Sequence, residues 1–168
     1  MRGQLSQFSA SILCLLSLCI VGCASTPANE FHFGPRSVII QAPYDEVWQA
    51  VQQALANYPI QINNLDEGLI TTDSIKNGQV WSAPFNEHYR YPNFTYRLKI
   101  TVLRGKQKGH PACKVFITKY ITAQKDFFSG TKHLPSDGLE EGSILYRIER
   151  NIEIQRALKA AYKRGNGS

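Results

Sequence analysis

The sequence predicts an α+β domain, an antiparallel sheet covered on one face by a long C-terminal helix. Three observations carry this reading. In FTYRLKITVLR, Phe94, Tyr96, Leu98, Ile100 and Val102 alternate with Thr95, Arg97, Lys99 and Thr101, which gives a strand one buried and one wet face. In SILYRIERNIEIQRALKAAYKR, residues Ile144, Ile148, Ile152, Leu158 and Tyr162 fall close to one helical stripe. The order of elements is strand, helix, several antiparallel strands, helix, which suits a two-layer domain.

The elements follow in order. SVIIQAP predicts a strand from Ser37 to Gln41. Pro43 opens a helix, where no backbone donor is needed, and Asp45 and Glu46 suit the positive end of its dipole. Val47, Trp48, Val51, Ala54, Leu55 and Tyr58 form its apolar stripe, and Pro59 ends it. IQINNLDEGLITTDSI reads as a hairpin, with Ile60 and Ile62 alternating with polar residues and Asp66-Glu67-Gly68 turning the chain back into Leu69–Ile75. Lys76 to Asn93 is aromatic and loop-like. After the long strand, GKQKGHP makes a turn. Cys113, Val115 and Ile117 then alternate with Lys114, Phe116 and Thr118 toward Thr122. QKDFFSGTKHLPSDGLEEG reads as a second loop ahead of the final helix. Lys163 and Arg164 suit that helix's negative end.

The chain has 168 residues, room for one domain of ordinary size. Its hydrophobic content of 43% is that of a globular protein. The formal net charge of +6 is spread along the chain, which reads as a mildly basic solvated surface and not as a nucleic-acid site. Cys14, Cys19 and Cys23 lie in or beside the first apolar segment, so the four cysteines do not read as a disulfide framework. Cys113 reads as a small buried apolar group on a strand.

The N-terminal segment locates the protein. Arg2 precedes FSASILCLLSLCIVG, an apolar run without a charge that is short for a membrane span and fits a signal-peptide core. Ile20, Val21 and Gly22 precede Cys23, and Ala24 and Ser25 follow. This resembles the lipobox of bacterial lipoproteins, which implies cleavage before Cys23 and a diacylglyceryl group on its thiol, with further acylation (palmitate) of the new amino terminus. Two or three acyl chains hold far more firmly than one. Ala24, in place of aspartate, implies the outer membrane by analogy with enteric bacteria. The expected organisation is a signal peptide over 1–22, a lipidated N-terminus and tether over 23–35, and a single domain over 36–165.

VIIQAPYDEVWQAVQQALANYPIQINNLDEGLITT resembles the helix-grip domains of BamC-like outer-membrane lipoproteins. Trp48, Leu55, Asp66, Gly68, Ile70 and Thr71 carry the likeness, and YRLKITVLR resembles that family's long central strand. The resemblance covers about residues 36–163. It implies a non-enzymatic accessory or interaction module in envelope or outer-membrane protein assembly. Its partners would be the membrane lipid anchor and an envelope protein, and its place the periplasmic face of the outer membrane.

Two other readings stand beside it. Helix-grip folds are similar in shape to START-type domains, which hold an apolar ligand between long helix and sheet. Trp81, Phe85, Tyr89 and Tyr91 would then gate such a pocket or form a binding surface. A hydrolytic enzyme needs a convergent site. The sequence has no phosphate-binding glycine loop and no nucleophile elbow, and His32, His88, His110 and His133 are scattered through expected loops. Glu140 and Glu141 are adjacent, so they do not face one site and are expected to favour the start of the last helix. No catalytic residue, metal or cofactor is expected.

Overall fold

The computed structural model describes residues 36–82, 94–124 and 130–165. Among the described residues it is an α+β fold, with a seven-stranded antiparallel sheet and two helices on one side of it. The strands are β1 (Arg36–Ile40), β2 (Ile60–Asn64), β3 (Leu69–Thr72), β4 (Ile75–Lys76), β5 (Phe94–Gln107), β6 (His110–Gln124) and β7 (Thr131–Leu134). The helices are α1 (Tyr44–Ala54) and α2 (Leu139–Gly165). The sheet order is β1-β6-β5-β3-β2, with β4 also pairing β5 and β7 pairing β6.

The long hairpin β5–β6 forms the centre, in register from Phe94↔Ala123 to Gln107↔His110. The strands run on through most of the expected turn. Only Lys108 and Gly109 connect them, and both adopt positive φ (52° and 81°). Two positive-φ residues match the right-handed twist of the flanking strands, so the tight turn lets pairing extend to Gln107. The alternation in β5 holds: Phe94, Tyr96, Leu98, Ile100 and Val102 are buried, whereas Arg97 and Lys99 are exposed.

The hairpin β2–β3 turns where DEG predicts it. The Asn64 side-chain carbonyl accepts the N–H groups of Asp66 and Glu67, both at 3.1 Å. Gly68 follows at φ 65°, with its carbonyl accepting the Val102 N–H at 2.8 Å. A Cβ here would collide with the Val102 carbonyl oxygen, so the position needs glycine for conformation and for close approach. The return strand is shorter than expected. At Thr72 the hydroxyl, not a backbone carbonyl, accepts the Leu98 N–H (3.0 Å), and pairing with β5 resumes at Ile75↔Tyr96. Ile60 and Ile62 lie on the outermost strand and remain exposed.

The core lies between the sheet and the helices. From α1 come Val47, Trp48, Val51 and Ala54, continued by Leu55 and Tyr58; from α2 come Ile144, Leu145, Ile148 and Ile152. The expected second loop is not all loop. Thr131–Leu134 forms β7 against β6, and α2 begins at Leu139. The expected apolar stripe of α2 also divides. Its first half is buried through Ile152, whereas Leu158 is 64% and Tyr162 72% exposed. A straight helix against a sheet of limited width outruns what it covers; at 1.5 Å per residue, α2 is about 40 Å long.

Candidate functional site

Strand alternation brings a charge into the core. Cys113, Val115, Ile117, Lys119, Ile121 and Ala123 all point inward from β6, so Lys119 takes the phase of its apolar neighbours. Its ammonium meets Glu140 in the first turn of α2, with Nζ to Oε2 at 2.7 Å and side-chain exposures of 2% and 0%. Glu140 Oε1 accepts the hydroxyls of Tyr58, just past α1, and Tyr96, on β5, each at 2.9 Å. The Lys119 ammonium also lies over the rings of Tyr96 (4.2 Å) and Trp81 (5.3 Å). Desolvation beside the Glu140 carboxylate pushes the Tyr58 phenol well above its ordinary range, so Tyr58 stays a donor. The Arg147 guanidinium donates to the Tyr58 oxygen at 3.4 Å.

Glu141 is also fully buried. Neither of its oxygens is in good hydrogen-bonding geometry with a described partner. Burial raises its pKa; Ser136, its own backbone N–H and Lys119 offset only part of that desolvation. Glu140 and Glu141 both stand in the first turn of the last helix, where the dipole reading expects them. Helix α2 begins inside the domain, so both residues of its first turn are enclosed.

Chemically, the cluster is a closed lock. A paired and hydrogen-bonded charge in the interior fixes which groups sit opposite one another. It joins the start of α2, the end of α1, β5, β6 and the segment after β4. Both charged side chains are withdrawn from solvent. Sequence reasoning missed it, although a lysine in phase with Cys113, Val115 and Ile117 was the available signal.

Of the expected site residues, Trp81 is half-buried and packs on Lys119, which makes it part of the lid of this cluster. Cys23, Phe85, Tyr89 and Tyr91 lie outside the described residues, as do His32 and His88. His110 and His133 are exposed at strand positions. Cys113 is buried, and desolvation raises its thiol pKa, which suits a packing role. Among the described residues, no three His, Cys, Asp or Glu side chains converge, and no helix is long and apolar enough to cross a membrane.

Besides the exposed outermost strand at Ile60 and Ile62, two further groups of exposed apolar side chains stand out among the described residues. One is the second half of α2, where Ile154, Leu158 and Tyr162 stand exposed at four-residue steps. Lys159 and Arg156, on the neighbouring face, are drawn to Glu46 of α1 (2.8 and 3.8 Å) and hold this half of the helix alongside α1. The other is the outer face of the sheet, away from both helices. There Ile39, Leu103 and Tyr120 are exposed among Arg97, Lys99 and Lys114. No protein-family model matches the chain, and no curated protein matches it.

Proposed function

We propose that the chain is a lipid-anchored periplasmic lipoprotein that works by binding. Its reading is a non-enzymatic accessory module in envelope or outer-membrane protein assembly, attached through Cys23. The observation that carries the binding role is the exposed stripe Ile154, Leu158 and Tyr162 on α2. Apolar anchors spaced by one helical turn suit a helix laid into a groove of a partner. Lys163 and Arg164 at its end complement a groove with a carboxylate rim. The partner is therefore an envelope protein with an apolar, acid-edged groove. The charged cluster supports a binding role over an enzymatic one because it is closed to solvent. The carrier reading has less support, since Ile144, Ile148 and Ile152 fill the described part of the gap between α2 and the sheet.

In-cell photocrosslinking from position 158 tests this. Wild type is expected to yield one reproducible envelope-protein adduct. Leu158→Asp should lose that adduct when the probe sits at position 162, and Cys23→Ala should lose it together with membrane retention. Repeated absence of any adduct from wild type refutes the binding role.

A further inference from the structure

The outer face of the sheet has a charge pattern that the fold does not require. Every charged residue in the seven strands is Lys or Arg; none is Asp or Glu. A solvated sheet face ordinarily mixes both signs, because opposite charges across strands stabilise the pairing. Here Arg97, Lys99 and Lys114 project from adjacent strands β5 and β6, and none forms an ion pair among the described residues. Apolar groups stand between them. Tyr120 is directly opposite Arg97, Leu103 is opposite Lys114, and Ile39 flanks Lys114 on β1. The Lys114 ammonium lies over the Phe116 ring at 4.6 Å. Cations interleaved with tyrosine and aliphatic side chains match a membrane interface, where phosphates lie beside the ends of acyl chains.

The geometry points to this face as a docking surface for anionic phospholipid headgroups. The anion is the headgroup phosphodiester, met by Arg97, Lys99 and Lys114, while Tyr120 and Leu103 reach toward the acyl boundary. The choice of lipid over an acidic protein rests on the tethered reading above. Residues 23–35 reach roughly 40 Å when extended and lead into β1, a strand of this same sheet. A tethered surface meets its leaflet at high effective concentration, so weak contacts suffice. Each cation near an anionic leaflet contributes about five-fold in partition. The helices cover the opposite side of the sheet, so docking this way places α1 and α2 on the side away from the lipid.

Lysine footprinting of the full-length chain in vesicles tests the proposal. The probe is an amine-acylating reagent read by mass spectrometry, with vesicles of pure phosphatidylcholine compared with vesicles containing phosphatidylglycerol. Lys99 and Lys114 are expected to react about five-fold more slowly on the anionic vesicles, an effect removed by about 0.5 M NaCl. Lys163 on α2 should react equally in both. Arg97→Glu with Lys99→Glu, both at exposed positions, should restore Lys114 reactivity while leaving the circular dichroism unchanged. Equal reactivity of Lys99 and Lys114 in the two vesicles overturns the proposal. So does protection seen in native envelopes but not in protein-free vesicles, which assigns the face to an acidic protein. Loss of the chain from neutral vesicles in high salt refutes the anchor instead, and protection on anionic vesicles at low salt still reads the face.

Discussion

The Lys119 ammonium and the Glu140 carboxylate meet 2.7 Å apart in the interior, one from the central hairpin and one from the first turn of the closing helix. They are 21 residues apart in sequence, and the chain between them includes β7. The pair ties the first turn of α2 to β6. Removing one partner leaves a charge buried without compensation. Lys119→Met is therefore expected to destabilise the domain by about 3–5 kcal/mol in urea unfolding. Adding Glu140→Gln should recover much of that loss, because the amide oxygen still accepts from Tyr58 and Tyr96. A double variant as weak as the single one would show that the pair does not act as a unit.

Glu141 should give the fold a pH dependence of known sign. Its folded pKa is raised by burial above the ordinary value of 4.5. Below pH 4.5 both folded and unfolded forms hold the proton, and the side chain adds no penalty. As pH rises through 4.5 the unfolded chain releases the proton first, so stability falls until the folded carboxyl also ionises, by up to about 1.4 kcal/mol per pH unit. Glu141→Gln removes this slope. The variant is expected to gain stability over wild type at pH 7 and much less at pH 4, measured by thermal unfolding. A constant difference at both pH values would contradict the assignment.

Two glycines separate strain from collision. Gly68 and Gly109 both have positive φ, but only at Gly68 does an added Cβ meet the Val102 carbonyl. Gly109→Ala is expected to cost about 1–2 kcal/mol from the backbone alone. Gly68→Ala should cost more and weaken hydrogen-exchange protection of the Val102 amide. Equal losses would place the whole effect in the backbone conformation.

The two halves of α2 should respond differently to truncation. Ile152→Ala removes a side chain that is 4% exposed and is expected to cost about 2–5 kcal/mol. Leu158→Ala removes one that is 64% exposed and should change stability by no more than about 0.5 kcal/mol. A large stability loss at Leu158 in the purified protein would mean that its stripe is already covered within the chain, which the proposed partner site excludes.

The legible part of the fold is the part governed by local period. Alternation in β5 placed Leu98 inside and Lys99 outside, and the helical stripe of α1 placed Val47, Trp48 and Val51 against the sheet. The turn at Asp66-Glu67-Gly68 was legible because only glycine takes that backbone without strain. Strand β7 was not legible. Thr131–Leu134 carries no clear alternation, and it becomes a strand only because the end of β6 offers an unpaired edge.

The candidate site divides the same way. The lipobox-like run at Cys23 is a local pattern and is read whole from the sequence. By itself the sequence determined the sheet-and-helix class, the faces of the long strands and the anchor expectation, because each depends on neighbours a few residues away. Only the tertiary structure decided that Lys119 and Glu140 share one enclosed site, that Glu141 is buried beside them, and that Leu158 and Tyr162 project beyond the core. The burial of a charge depends on what arrives opposite it, and the exposure of an apolar residue depends on where the opposing surface ends. Both are set by the packing of distant segments, which periodicity does not encode.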